Sequence, residues 1–272
     1  MNWQSFLDTF HNRRPGITEE IFIRSRDKDG VNPYQWVERA TPKRGDHLDL
    51  CCGSAPLFHD NASLNVVRVD RSRGEINRAQ ERGAEGLING DALSLPLQSG
   101  SFTSVTISMA LMLIQPMQKA ISEIARVMTQ DAYLNIVLPG GGPFIGVADL
   151  RIYRKIAKYG GEATLSFPNG RGVRSIRSEA ARLGLTESMD DRRTFYFHAN
   201  SADDAELFID SLYLRGLPEL EGDRSTKDQL IAMLLHKKTM KIPLRMLGFR
   251  KIGGITDLAP ETPQEAIHQP PL

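Results

Sequence analysis

The chain has 272 residues, 40% hydrophobic and 25% charged, with a net charge of +1, which suits a globular protein with one large core and a smaller appended region. The near-zero charge excludes a global basic field that would recruit nucleic acid or an anionic membrane surface. The only two cysteines, Cys51 and Cys52, are adjacent, which excludes a disulfide framework and makes a poor zinc site, so no metal is expected and a reducing, cytoplasmic setting fits.

Residues 2–40 read as helical segments. Arg14-Pro15-Gly16 breaks the first, Thr18 with Glu19 and Glu20 opens the second, and Asn32-Pro33-Tyr34 starts a third with Pro33 in its first turn. The start Met1-Asn2-Trp3-Gln4 has no basic segment followed by an apolar run, so no signal peptide is read there. Strand and helix signals then alternate. Leu48–Cys51 and Val66–Val69 are apolar strands, and Arg73–Arg82 is a polar helix ended by Gly83. Leu87-Ile88 is a short third strand and Ser104–Met109 a fourth.

The apolar stretch from Val105 to Ile114 is broken by Thr106 and Ser108, far short of the roughly 20 residues a membrane helix needs. Along Pro116–Met128, the residues Met117, Ile121, Ile124, Ala125 and Met128 recur at helical spacing and define one buried face. Tyr133–Leu138 is a fifth strand, stopped by Pro139-Gly140-Gly141-Gly142. Such alternation predicts an α/β fold, a doubly wound, mostly parallel sheet with helices on both faces.

The later half is less regular. Asp149–Tyr159 and Arg174–Leu183 read as helices and Arg193–His198 as a strand. Ala202–Arg215 reads as a helix capped by Ser201 and ended by Gly216. Asp223–Lys238 reads as another helix and Leu244–Phe249 as a final strand. Ala259–Leu272, with four prolines and little apolar content, reads as disordered.

The chemistry concentrates at His47-Leu48-Asp49-Leu50-Cys51-Cys52-Gly53-Ser54-Ala55 and at Asp70. An apolar strand runs into a small-residue turn, and an acid waits at the tip of the next strand. That pattern lets backbone amides approach a nucleotide-like ligand while the acid accepts from ribose hydroxyls. Asp70 lies 21 positions after Asp49, close to the ~20-residue spacing of one strand–helix–strand unit. Taken singly, Asp49, Asp70 and Asp91 are ordinary strand-end acids; taken jointly they form a cofactor constellation.

Four segments in order resemble the class I S-adenosylmethionine-dependent methyltransferases, especially the group that includes the ubiquinone and menaquinone C-methyltransferases. They are Leu48–Ala55, Val69-Asp70-Arg71-Ser72, Gly90–Leu97 with Ser101-Phe102, and Glu123–Met128 with the following strand. The resemblance covers roughly residues 44–140 and continues more weakly to residue 251. It implies a seven-stranded, Rossmann-like sheet ending in an antiparallel hairpin, with N-terminal helices and an inserted acceptor-side cap. The implied division is a helical cap over 1–40, a cofactor-binding core over 41–142, the rest of the sheet with acceptor-side helices over 143–255, and a disordered tail over 256–272. The family turn carries three glycines, whereas here Cys51 and Ala55 flank Gly53. Asp131-Ala132 stands where a Gly-Gly turn precedes the fifth strand.

By this resemblance the cofactor is S-adenosyl-L-methionine and its product S-adenosyl-L-homocysteine. Asp70 would hold the ribose hydroxyls with Arg71 beside it. Asp91 would accept from the adenine amino group, and the Ala92 amide would meet a ring nitrogen. The backbone around Cys51, Gly53 and Ala55 would face the methionine part, which Ser108 and Met109 flank and Asp49 orients. The implied function is methyl transfer to oxygen, nitrogen or carbon of a small organic acceptor, in a specialised biosynthetic route. The expected partner is that acceptor, with no nucleic acid, no membrane insertion and a homodimer left open.

Candidates for general-base work are His11, Tyr34 and His198, with His59 beside them. Asn32-Pro33-Tyr34 resembles part of the Asn/Asp-Pro-Pro-Tyr tetrad of amino-methylating nucleic-acid enzymes, but lacks the second proline and precedes the first strand, so it reads as a helix start. Phe144, Tyr153 and Phe167 are expected either to contact an apolar or aromatic acceptor or to pack in the interior. Arg151, Arg154, Lys155 and Lys158 form one basic helical face, solvated or clamping an anionic substrate. The competing functions are a nicotinamide-dependent oxidoreductase, which calls for a full Gly-x-Gly-x-x-Gly turn, a non-catalytic S-adenosylmethionine-binding module, and a nucleic-acid methyltransferase.

Overall fold

Short apolar runs become the inner strands because a parallel strand covered by helices is buried on both faces. In the computed structural model the described residues are 2–58, 63–140, 146–162, 165, 167–169, 172–215 and 224–252. His59, Phe144 and the expected tail 256–272 lie outside them. The first three helices are α1 (Trp3–Arg13), α2 (Ile17–Arg24) and α3 (Pro33–Ala40). They are followed by β1 (Gly45–Leu50), β2 (Leu64–Asp70), α4 (Arg73–Glu81), β3 (Leu87–Asn89) and β4 (Phe102–Ser108). Then come α5 (Met117–Val127), β5 (Met128–Pro139), α6 (Val147–Tyr159), α7 (Gly172–Arg182), β6 (Leu185–His198), α8 (Ala202–Asp210), α9 (Arg224–Lys237) and β7 (Thr239–Lys251).

One seven-stranded sheet has the order β3-β2-β1-β4-β5-β7-β6. β1 to β5 run parallel, and β7 is antiparallel to both β5 and β6. In the inner strand β1, Leu48 pairs with Val67 on one side and Val105 on the other. One apolar cluster joins Leu48, Leu50, Val105, Ile107, Leu134 and Ile136 to the α5 face of Met117, Ala120, Ile121, Ile124 and Ala125. A second cluster joins Trp36, Val37, Phe195, Phe197, Phe208 and Met246. The expected face of α5 is therefore the buried one, except that Met128 opens β5 rather than closing the helix.

Three boundaries differ from the sequence expectations, each for a physical reason. The helix expected over Ala202–Arg215 ends at Asp210, because the chain turns away so that Tyr213 reaches α1 and Leu214 becomes buried. The second helix opens at Ile17 behind Gly16 in a left-handed conformation, and no side chain caps it, Thr18 included. β6 and β7 are far longer than the apolar segments Arg193–His198 and Leu244–Phe249. They pair with each other from Leu185↔Lys251 to His198↔Thr239, with a register shift between Glu187 and Met189. β6 lies at the sheet edge, so its charged stretch Glu187–Arg193 is held by backbone pairing and carries no apolar pattern.

Candidate functional site

The strand order reverses between β1 and β4, and the loops leaving their C-terminal ends part there, which is where open α/β sheets hold ligands. Asp49, 1% exposed, sits in β1 one residue before its end. The chain then turns sharply: Cys51, Gly53 and Ala55 have φ values of 56°, 54° and 54°. All three positions that resemble the family's glycines therefore adopt the left-handed region, at a steric cost of roughly 1–2 kcal/mol for each non-glycine residue. At Gly53 a β-carbon would enter the space of the Glu19 carboxylate and displace that side chain.

Asp70, at the end of β2, fastens this turn. Its Oδ2 accepts from the Gly53 amide at 2.9 Å and its Oδ1 from the Ser72 amide at 2.8 Å. Beyond β3, Asp91 Oδ1 accepts from the Leu93 amide at 2.9 Å and so shapes the next loop. At the end of β4, Met109 turns with φ 56° while its amide donates to the Val137 carbonyl at 2.9 Å.

A cleft of about 160 Å³ opens between these loops. Asp49, Cys51, Gly53, Asp70, Arg71, Asp91, Ala92, Ser108 and Met109 all line it. Ala55 does not; it is fully buried beneath the turn against Ala79 and Ala84, so its part in the site is confined to the backbone.

The N-terminal helices form the opposite wall. Trp3, Leu7 and His11 of α1, Thr18, Glu19 and Phe22 of α2, and Tyr34 of α3 face the cleft. His11 Nδ1 lies 2.8 Å from Glu75 Oε1, and Tyr213 Oη lies 3.5 Å from His11 Nε2. Burial acts to lower the His11 pKa, but the Glu75 hydrogen bond and the surrounding carboxylates outweigh it and the net shift is upward. Burial holds the Tyr34 phenol well above its ordinary range, so it stays neutral. His198 is a correction: it is exposed on β6, 3.0 Å from Thr239 Oγ1, and lines no part of the cleft. An edge strand carries its outward side chains into solvent.

Glu19 and Tyr213 were not among the expected site residues. Glu19 had a legible signal, because it lies three positions before Phe22 on the buried face of α2, where an acid is out of place. Tyr213 had none, since it was expected inside a helix. Burial pushes both the Asp49 and Glu19 carboxyls up to about 7; for Glu19 the nearby Glu75 charge adds to the effect. Asp49 Oδ2 and Glu19 Oε2 are buried without a hydrogen-bond partner. Burial and then the Asp49 and Asp70 charges push both cysteine thiols up, so they remain neutral packing groups.

A second cavity of about 440 Å³ shares Thr18, Phe22, Met109 and Tyr213 with the cleft. Its wall is largely apolar, with Ile21, Met112, Leu138, Leu165 and Phe208 beside the expected Tyr153 and Phe167. Tyr153 donates to the Lys241 carbonyl at 2.8 Å. On α6, Ile152, Ile156 and Tyr159 are buried while Arg151, Arg154, Lys155 and Lys158 are exposed. Arg154 alone of these four reaches the cavity wall.

Comparison with known proteins bears on this geometry. Residues 48–136 match the family model of a methyltransferase domain. The ubiquinone/menaquinone biosynthesis C-methyltransferase UbiE of Campylobacter jejuni is 34% identical over 94 residues, covering 34% of this chain and 40% of that protein. The demethylmenaquinone methyltransferase of Beutenbergia cavernae is 36% identical over 83 residues, covering 29% of this chain and 35% of that protein. The chain thus spans well under half the length of these relatives. Among solved structures, YcgJ of Bacillus subtilis superposes with a TM-score of 0.51 at 16% identity, over 80% of this chain and 97% of that one. A phosphoethanolamine N-methyltransferase of Haemonchus contortus, solved with S-adenosylhomocysteine, gives a TM-score of 0.54 at 17% identity, over 93% of this chain and 61% of that one. The two structures show the shared α/β fold.

Proposed function

We propose that this chain, which carries a methyltransferase domain over residues 48–136 and resembles the class I S-adenosylmethionine-dependent enzymes, moves the methyl group of that cofactor to oxygen, nitrogen or carbon of a small organic acceptor. The carrying observation is convergence: carboxylates from the ends of β1 and β2 and the loop after β3 meet in one cleft, beside the small-residue turn of Cys51, Cys52 and Gly53. The residues fit the cofactor. The orphaned oxygens of Asp49 and Glu19 call for a cationic donor, and the cofactor's methionine end is cationic.

Asp70 would accept from the ribose hydroxyls with lone pairs not used by the Gly53 and Ser72 amides. Asp91 would accept from the adenine amino group, the Ala92 amide would face a ring nitrogen, and Asp49 would orient the ammonium group. When bound, S-adenosylmethionine supplies a methyl group already activated by a positively charged sulfur. The protein's task is then alignment. Holding two reactants in line supplies roughly 7–11 kcal/mol, whereas a general base adds only about 10²–10⁴-fold. The shared wall of Thr18, Phe22, Met109 and Tyr213 would set where the two ligands meet. The apolar second cavity would seat an apolar acceptor, in line with a specialised biosynthetic role.

The oxidoreductase reading has less support, because Gly53 is the single glycine of the turn, with Cys51 and Ala55 at the other two places, and the matched family is a transferase. Incubating the protein with methyl-¹³C-labelled S-adenosylmethionine and fractionated metabolite extracts tests the proposal by mass spectrometry. A gain of one labelled methyl group on an apolar metabolite is expected. Cofactor binding without label transfer to any fraction would favour a non-catalytic binding module.

A further inference from the structure

Glu19 is a buried acid contributed from outside the nucleotide-binding unit. It is 8% exposed, on the same face of α2 as Phe22. Its Oε1 lies against the glycine turn, 3.4 Å from the Ser54 amide, in the space that a β-carbon on Gly53 would enter. Its Oε2 is buried, lacks any hydrogen-bond partner, and belongs to a residue lining the cleft. Asp49 Oδ2, on another wall of the same cleft, is equally unpartnered. A buried carboxylate oxygen without a donor is costly, and two of them lining one cleft point to a donor arriving with the ligand.

The charges around the cleft narrow what that donor is. Asp8, Glu19, Asp49, Asp70 and Asp91 line it against Arg71 and His11. Arg71 already pairs with Asp8 at 3.2 Å, and His11 with Glu75 at 2.8 Å. Arg68 and His11 act on Asp49 and Glu19 as nearby charges, but neither donates a hydrogen bond to Asp49 Oδ2 or Glu19 Oε2. An alkylammonium group brings one positive charge and three N–H donors, enough for both carboxylates at once. A neutral nucleoside could donate hydrogen bonds but would bring no charge to offset two buried carboxylates.

We propose that Glu19 is a second carboxylate for the ammonium group at the methionine end of the cofactor, holding it from α2 while Asp49 holds it from the sheet. This rests on the S-adenosylmethionine reading and adds a ligand-binding role for the N-terminal helices. The amino-acid end of the ligand would bridge α2 to β1, so the same contact that selects an amino-acid-bearing adenosyl compound also fastens the helical wall over the cleft. A proton is linked to this contact. Burial and the Glu75 charge keep Glu19 partly protonated near neutral pH. The titratable groups around it are Glu75 on α4, His11 on α1, Tyr34 on α3 and Tyr213 after α8. An ammonium placed beside Glu19 favours its ionised form, so binding releases part of a proton.

The test is calorimetry with S-adenosylhomocysteine, which carries the ammonium group, and 5′-methylthioadenosine, which lacks it. In Glu19→Gln, affinity for S-adenosylhomocysteine should fall about tenfold or more, the scale of a lost charge-assisted contact, while affinity for 5′-methylthioadenosine changes less than about twofold. Retained 5′-methylthioadenosine binding doubles as a check of the fold. Titrations at pH 7 in buffers of different ionisation enthalpy should show proton release with S-adenosylhomocysteine that shrinks in Glu19→Gln. Asp49 titrates in the same range, so some release remains. Should Glu19→Gln fail to fold, Glu19→Asp, which keeps the charge but shortens its reach, should show the same selective loss. Equal losses for both ligands, or an unchanged S-adenosylhomocysteine affinity, would overturn the role of Glu19 and leave the cofactor assignment standing. Failure of the wild-type protein to bind S-adenosylhomocysteine would remove both.

Discussion

Asp49 is placed where a carboxylate is least comfortable: inside a central strand, 1% exposed, with one oxygen unpartnered. Its pKa of about 7 is a stability statement as much as a functional one. An unfolded aspartate loses its proton near 3.9, so between about pH 4 and 7 the folded chain holds a proton that the unfolded chain has released. Stability from this group therefore falls as pH rises through that window. Asn at the same position has no such titration. Relative to the wild type, Asp49→Asn should gain stability steadily from pH 4 to 7, by at most about 4 kcal/mol, and level off above. Denaturant melts across that range check it; a flat difference would mean that Asp49 is ionised at its site throughout. The same substitution should weaken any ammonium-bearing ligand, so stability and binding trade against each other at one residue.

The N-terminal helices are where local chemistry and site construction meet. Asn32 Oδ1 accepts from the Gln35 amide at 2.8 Å, while Gln35 Oε1 accepts from the Asn32 amide at 3.0 Å, a reciprocal cap with Pro33 at the first helical position. That cap fixes the start of α3, which then delivers Tyr34 to the cleft and Trp36 to the core. Trp36 Nε1 donates to Asp191 Oδ2 at 2.9 Å, and Asn135 Nδ2 donates to Thr41 Oγ1 at 3.1 Å, which ties α3 to β6 and β5. Asn32→Ala should cost about 1 kcal/mol of stability, with Asn32→Asp close to neutral; thermal melts of the pair separate the cap from general surface effects.

These elements also show what a sequence reveals. The inner strands were legible because burial on both faces leaves short apolar runs between turns. The cleft residues at their ends were legible because small residues and acids recur at strand-to-helix spacing. Glu19 escaped because its counterpart, Gly53, is distant in the chain and the helix-start reading of Thr18-Glu19-Glu20 was sufficient locally. The end of α8 escaped because a contact between Tyr213 and α1 decides it. The length of β6 escaped because edge pairing with β7 needs no apolar pattern.

At the scale of the whole molecule, one sheet organises two cavities. The cleft lies over the strand-order reversal, and the second cavity reaches from α2 to α6, α8 and β7. They meet at Thr18, Phe22, Met109 and Tyr213, contributed by α2, the loop after β4 and the segment after α8. In-line group transfer needs two reactants held in contact and aligned, and two adjoining cavities with a shared wall suit the proposed transfer. Among the described residues, no helix is long and apolar enough to cross a membrane.

The central claim is that carboxylates on successive loops at one sheet edge cradle an adenosyl ligand. Titration calorimetry of S-adenosylhomocysteine into the wild type, Asp70→Ala and Asp91→Ala tests it most directly. The account predicts saturable binding to the wild type and a loss of roughly 10- to 100-fold for Asp70→Ala, the worth of hydrogen bonds to a charged group, with a smaller loss for the more exposed Asp91→Ala. Unchanged affinity in both folded variants, or saturable binding of NAD in place of S-adenosylhomocysteine, would contradict it.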